Sequence, residues 1–238
     1  MLSIIIPTLD EEEYLPTALE SIRKQGLTDY EMIVADAGSK DSTVSIARSY
    51  GCKVVPGGLP ARGRNNGAKT AAGDLFFFLD ADTMLPEGLL QKSLEEFSRR
   101  KLHVASFPIY TYPDKKSSRL LMEVFYNKMI VVLERVLPHT AVAILVTRES
   151  FEKVHGYDES IKLAEDHDLG RRIARFGRFG VLRAGHIFFS DRRFKKEGWF
   201  KVGLKYFLCG LHIITIGPVR SDIFRYQFNH YKQNTKKR

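Results

Sequence analysis

Through its first half the chain alternates short apolar runs with helical stretches. "LSIII" reads as a strand and "EEYLPTALESIRKQG" as a helix ending at Gly26. "YEMIVAD" and "KDSTVSIARSYG" repeat the pair, with Gly51 closing the second helix. "CKVVP" is a short third strand, "RGRNNGAKTAAG" leads from a loop into a helix, and "DLFFFLD" is a fourth strand. "PEGLLQKSLEEFSRRK" is a helix with Pro86 in its first turn. Repetition at this spacing predicts right-handed βαβ units: an α/β fold with a mostly parallel central sheet flanked by helices. Ligands of such sheets gather at the carboxyl ends of the strands. Asp10, Asp36, Asp80 and Asp82 all fall at such ends.

The stretch "FFFLDADTM" ends an apolar run on two carboxylates separated only by Ala81. At a strand end, residues two apart point the same way, so Asp80 and Asp82 face one spot. Like charges that close raise one pKa unless a cation sits between them. Hard oxygen ligands suit Mg²⁺ or Mn²⁺; a solvated turn is the competing reading. Further on, "LAEDHDLGRR" sets Glu165, Asp166 and Asp168 at a helix start, where the dipole favours anions. For Asp168 and Asp41 an ordinary cap is the preferred reading.

With 238 residues, the chain suits one domain, 1–238. Its parts would be a ligand-binding half (1–100), a second half completing the site (101–200) and a basic amphipathic extension (201–238). Two cysteines without metal spacing point to a reduced, cytoplasmic compartment. "MLSIIIPTLDEEE" lacks the basic start of a signal peptide, and no apolar run reaches the length of about 20 residues that spans a bilayer. The net charge of +9 is lopsided: residues 171–238 carry 17 Lys and Arg against 3 Asp and Glu. Such an end attracts polyanions, a membrane face or phosphates, or is a solvated surface.

The second half is less regular. "LHVASFPIYTY" predicts a strand through Pro108. "SSRLLMEVFYNKMIVVLERVL" predicts a helix, apolar nearly all round, that is buried or faces something greasy. A strand, a short helix and a loop follow in "AVAILVTRESFEKVHGYDESI". "AEDHDLGRRIARFG" predicts a helix ended by Gly177, and "RFGVLRAGHIFFS" a strand.

Five segments in order resemble the family-2 glycosyltransferases, inverting enzymes of the GT-A fold with nucleotide-sugar donors. "SIIIPTLDEEEYL" is similar to the family's "PTxNE" opening, and "IVADAGSKDST" to its "VDDGSTD" nucleotide loop. "RGRNNGAKTAAGD" is similar to "RGxARNxGxxxAxGD", "FLDADT" to the DxD motif, and "GYDESIKLAEDHDLGRRI" to the "GxFDE…EDxDL…R" segment with the catalytic base. The resemblance covers roughly residues 2–195. It implies that Pro7, Thr8 and Glu11 line the base and ribose, that Asp36 holds one of them, and that Arg62 and Arg64 lie near the base or diphosphate. Asp80 would touch the ribose, with Ala81 between it and Asp82, which would bind the Mn²⁺ or Mg²⁺ bridging the diphosphate. Asp166 would be the general base and Glu165 an acceptor-binding residue.

The departures are Ala37 in place of the second acid of the family's "DD" pair, and Leu9 where an aromatic is often found. Both bear on base recognition, so a UDP- and a GDP-linked donor remain equally open. Some relatives place a third metal ligand two residues after DxD; Met84 stands there, a poor ligand for a hard cation. His186, near the end of a predicted strand, is the candidate replacement, or a half-buried strand histidine. Arg192 and Arg193 in "SDRRFKKEGW" would clamp the diphosphate by bidentate hydrogen bonds, or are exposed basic residues. One base and no protein nucleophile imply a single inverting displacement.

Haloacid-dehalogenase-type phosphatases share a "hhhhDxD" strand, but Met84 stands where they have Thr or Val. Sugar nucleotidyltransferases share the sheet, but "PTLDEEEYL" lacks their Gly-rich loop. A membrane- or polyanion-binding module is the non-enzymatic alternative; no nucleic-acid partner is expected.

After residue 200, Leu204, Phe207, Leu208, Leu211 and Ile214 keep helical spacing, with Lys201, Lys205 and His212 on another face. Phe224, Tyr226, Phe228 and Tyr231 then interleave with Arg225, Lys232 and "KKR". This pattern suits a helix lying in a membrane interface, or one packed on the sheet. The first reading makes the protein a peripheral enzyme of the cytoplasmic membrane face with a lipid-linked acceptor hydroxyl.

Overall fold

The computed structural model describes residues 1–224; Arg225, Tyr226, Phe228, Tyr231 and Lys232 lie outside the described residues. In chain order the elements of the first half are β1 (Leu2–Thr8), α1 (Leu15–Arg23), β2 (Tyr30–Asp36), α2 (Thr43–Ser49), β3 (Lys53–Pro56), α3 (Pro60–Thr70), β4 (Leu75–Leu79), β5 (Thr83–Met84) and α4 (Leu89–Arg99). The second half contains β6 (Val104–Ser106), β7 (Ile109–Tyr112), α5 (Lys116–Met122), a π-helical turn (Glu123–Asn127), α6 (Lys128–Val132), β8 (Ala143–Thr147), α7 (Arg148–Lys153), α8 (Glu165–Ala174), β9 (Phe179–Val181), β10 (Ile187–Ser190), α9 (Arg192–Glu197) and α10 (Trp199–Thr215).

A seven-stranded sheet runs in the order β3-β2-β1-β4-β8-β6-β9, and a three-stranded one in the order β5-β10-β7. The first four strands are mutually parallel; β8 is antiparallel to both β4 and β6. Strand side chains alternate between faces, and the core divides accordingly. Ile4, Ile6, Phe77 and Leu79 meet Leu15, Leu19 and Ile22 of α1 and Phe97 of α4. On the opposite face Ile5, Phe76 and Phe78 meet α3, Phe151 and Leu169 of α8. Helix α3 lies so close to β1 that a Cβ at Gly67 would collide with Ile5. That contact seats Asn65 and Arg64, two and three residues earlier on α3, against the sheet's carboxyl end.

Three expectations for the second half need correction. The strand expected through Pro108 is two strands in different sheets, β6 and β7, because proline cannot donate to a ladder. The strand expected over 178–190 also divides, into β9 and β10. There the Glu96 carboxylate accepts the N–H groups of Arg183 and Ala184 at 2.8 and 2.9 Å, ending the first ladder. The long helix after Ser117 is interrupted by the π turn. Asn127 faces inward there, accepting from the Ile109 N–H at 2.9 Å and donating to its carbonyl at 3.0 Å. Instead of burying its whole circumference, this helix leaves most of its large apolar side chains exposed. Helix α10 buries only Val202 and Cys209, the latter against Leu163 and Val219.

Candidate active site

The carboxyl ends of β1, β2 and β4 open on one mouth. Beyond β1, Asp10 takes a left-handed conformation (φ 54°), and its Oδ1 accepts the Lys40 N–H at 2.7 Å. Asp36 ends β2 and ties off its own turn, accepting the N–H groups of Gly38 and Ser39 at 2.9 and 3.0 Å and the Thr8 hydroxyl at 3.2 Å. Pro7 and Thr8 therefore lie beside Asp36 across the parallel pair.

Two arginines organise the rest. Arg192, at the start of α9, donates to both oxygens of Glu11 at 2.7 and 2.8 Å, and its Nε lies 2.9 Å from Asp82. Its guanidinium rests 4.8 Å from the centre of the Tyr14 ring. Burial pushes the Glu11 carboxyl up to about 7; the Arg192 pairing opposes this, and Asp82 and Asp80 add to it. Burial also raises Asp82, against the pull of Arg192 and with repulsion from Asp80; Arg193 is near enough to lower it. The Ser190 N–H donates to the Asp82 carbonyl at 2.9 Å, which seats β10 and α9 at the mouth. Ala81, between the two acids, is buried.

Arg64, on the inner face of α3, is buried between Asp80 and Glu165. It donates to Asp80 at 2.7 Å and to Glu165 in a short ion pair, with the Tyr157 ring centre 5.4 Å away. Burial would lower its pKa, but Asp80, Tyr157, Glu165 and Asp166 together raise it, so the guanidinium stays charged. Asn65 fixes the approach to α8 by exchanging hydrogen bonds with the backbone of Tyr157, both at 2.9 Å. Ala164 then takes a left-handed turn (φ 61°) that delivers Glu165 and Asp166 to the mouth.

Asp166 accepts the His167 N–H on Oδ1 at 2.8 Å. Burial pushes its carboxyl up to about 6, opposed by Arg64 and the His167 N–H and assisted by Asp80. Burial likewise raises Glu165, opposed by Arg64. Asp168 turns instead to Arg172 on its own helix, 2.6 Å away.

The fold therefore brings together Asp80, Asp82, Glu11, Arg64, Arg192, Arg193, Glu165 and Asp166. It does not bring Arg62 or His186 among them. Arg62 is exposed on the face of α3 opposite Arg64, since residues two apart on a helix point apart. His186 precedes β10, its ring 4.9 Å from Tyr110 and 4.8 Å from Phe188. Asp82 meets the other end of that strand, about 13 Å away at ~3.3 Å per residue, so His186 is not placed to share a metal with it. Among the described residues no three or more His, Cys, Asp and Glu side chains are grouped to enclose a metal. Asp82 is a half-buried hard-oxygen donor beside Asp80, and this donor set fits Mg²⁺ or Mn²⁺ completed by substrate phosphates and water. The sequence does not single out Tyr14, Tyr157 or the Glu11–Arg192 pairing, although the two tyrosines lie in the "DEEEYL" and "GYDE" segments.

Residues 3–154 match the family model described as Glycosyl transferase family 2. The uncharacterized glycosyltransferase EpsJ of Bacillus subtilis is 26% identical over 185 residues, 70% of this chain and 54% of that protein. The chain thus spans about half the length of that relative. A Campylobacter jejuni protein, GalNAc(5)-diNAcBac-PP-undecaprenol beta-1,3-glucosyltransferase, is 31% identical over 116 residues, 43% of this chain and 36% of its own. Among solved structures, the mannosyltransferase PcManGT of Pyrobaculum calidifontis, in complex with GDP-Man and Mn²⁺, superposes with a TM-score of 0.70 at 19% identity. That match covers 87% of this chain and 61% of that one, and it carries the fold: a GT-A sheet with its helices. By the match over most of its length, the chain belongs to glycosyl transferase family 2.

Proposed function

We propose that this protein is an inverting glycosyltransferase that moves a sugar from a UDP- or GDP-linked donor to an acceptor hydroxyl. The observation that carries the reading is the Arg64 clasp, which ties Asp80 of the DxD stretch to Glu165, the neighbour of Asp166. It holds the donor-side acids and the candidate base at one mouth.

In this reading Pro7, Thr8, Glu11, Asp36 and Asp80 line the nucleoside, with Arg62 at the outer rim. Arg192 and Arg193 contact the diphosphate, where planar bidentate donors match phosphate oxygens. Asp82 would hold Mn²⁺ or Mg²⁺, which when bound supplies charge neutralisation of the departing diphosphate. Sugar transfer passes through an oxocarbenium-like transition state, and the attacking hydroxyl must lose a proton. Asp166 Oδ1 is engaged by the His167 N–H, so Oδ2 takes that proton. A carboxyl near 6 is ionised at neutral pH yet basic enough for the task. With a single base and no nucleophile among these residues, the displacement inverts the anomeric centre. Glu165 orients the acceptor.

The acceptor is read as lipid-linked, met at the cytoplasmic membrane face with α10 against the surface. A relative named for a PP-undecaprenol substrate and the exposed apolar stripe of α10 support this. No described helix is long and apolar enough to cross a membrane, which leaves α10 an in-plane role.

The test is titration calorimetry with nucleoside diphosphates, with and without Mn²⁺. Metal-dependent binding should be present in the native protein and abolished in Asp82→Ala. Tight, metal-independent binding retained in that variant would count against the assignment.

A further inference from the structure

Sixteen of the twenty exposed large apolar side chains among the described residues lie in two segments, 120–136 and 200–223. The second contains most of α10. The first is the α5–π–α6 helix and its exit, whose large apolar residues have no role in the site. Its exposure is extreme: Phe125 is 72%, Val132 78% and Val136 82% accessible. Leu121, Phe125, Met129, Val132 and Val136 follow one another at intervals of three or four, so they form a single outward stripe. Water-facing monomers rarely keep apolar patches of this extent.

Both helices flank the candidate base. The Tyr126 ring of the π turn lies 5.4 Å from His139, whose ring lies tilted 3.8 Å from that of His167, the residue after Asp166. Burial raises the Tyr126 hydroxyl, with Asp166 and Tyr206 of α10 adding to the effect. Burial, Asp166 and Glu165 push Cys209 of α10 up to about 11. The π turn thus approaches Asp166 through His139 and His167, and α10 approaches Glu165 through Cys209, which packs with Leu163 and Ala164; the apolar stripes of both helices are exposed.

Charge decides what covers them. Lys115, Lys116, Lys128, Arg135 and Lys201 are exposed at the margins, and α10 contains no acidic residue. A second copy docked by the same face would set these cations against their own kind, which is costly. An anionic bilayer complements both the charge and the apolar stripes. Cations near such a surface each contribute about 1 kcal/mol.

We infer that the α5–π–α6 helix is a second membrane-seating element, forming with α10 one face that beds into an anionic bilayer beside Asp166. The inference rests on the lipid-side reading of the acceptor and deepens it: the acceptor hydroxyl reaches Asp166 between two embedded helices.

Flotation with vesicles of phosphatidylglycerol and phosphatidylcholine, against phosphatidylcholine alone, tests it on the full chain. The native protein should float with the anionic vesicles and less so at high salt. Phe125→Ser/Val132→Ser should lower recovery about tenfold or more, since two apolar side chains lose their burial in lipid. Phe207→Ser/Ile214→Ser in α10 should do the same. Circular dichroism and unfolding midpoints of both variants should match the native protein, because all four positions are exposed. If the native protein floats, the α10 variant does not and the Phe125/Val132 variant does, the second element is refuted while the α10 contact stands. Failure of the native protein to float refutes both. A dimer in sedimentation equilibrium that Phe125→Ser/Val132→Ser disperses would assign the face to a second copy and overturn the inference. Flotation reads no glycosyl transfer, so the donor chemistry is tested apart from it.

Discussion

Arg64 and Arg192 each hold two carboxylates at the mouth of the sheet, but they hold them differently. Arg64 is part of a helix packed on β1, and Asp80, Glu165 and Asp166 surround it. Removing such a charge would leave three acids facing one another in a buried place. Arg192 sits at the start of a short helix and reaches across to Glu11 and Asp82. Glu11, pushed up to about 7, is already close to taking a proton at neutral pH. One partner of Arg192 can therefore neutralise itself when the arginine turns to another anion. The comparison teaches a division of labour: Arg64 fixes the geometry of the site, and Arg192 is available to a diphosphate.

The largest effect is expected where that geometry is broken. Arg64→Ala should cost about 3–5 kcal/mol of stability, the penalty for leaving a buried pair half made. Denaturant unfolding at pH 7 measures it, and a loss no greater than that of Arg192→Ala would erase the distinction.

Arg192→Ala should have a smaller effect on stability and a clear one on ligand. Nucleoside diphosphate binding should weaken about tenfold, in keeping with a lost charge-assisted contact. The stability cost should also depend on pH. A carboxyl whose folded pKa is raised from 4.5 keeps in the native state a proton that the unfolded chain releases, so its contribution falls as pH rises towards 7. Without Arg192 the folded pKa climbs further, and the cost of the substitution should grow between pH 6 and pH 8. Unfolding free energies at the two values check this; a constant penalty would mean that Glu11 stays charged throughout.

The sequence was most informative where local rules governed the structure. Strands β1 to β4 and their helices were legible because each apolar run meets a sheet covered on both faces. Asp36, Asp80 and Asp82 were legible because strand ends carry ligands in such folds. Strands β6, β7, β9 and β10 were not, since their breaks depend on Pro108 and on Glu96 reaching two distant N–H groups. The two clasps were illegible for the same reason: Arg64 and Glu165 are 101 residues apart, Arg192 and Glu11 181. Both arginines stood out as candidates, but no periodicity names their partners. His186 falls near the end of a predicted strand, but the strand divides and His186 precedes β10, at the end away from Asp82. The apolar character of the helix after Ser117 is plain in the sequence; only the fold reveals that its stripe is exposed.

The central claim is that Asp166, and not its neighbour Asp168, removes the acceptor proton. A thermal-shift panel of nucleotide-sugars with Mn²⁺ supplies the donor, and single-turnover rates with that donor then measure Asp166→Asn against Asp168→Asn. Asp166→Asn should keep donor affinity and lose about 10²-fold or more in rate, along with the limb of the pH profile that rises through about 6 as the carboxyl ionises. Asp168→Asn, which breaks only its pairing with Arg172, should stay near the native rate. An Asp166→Asn enzyme that still turns over while Asp168→Asn is dead would contradict the account.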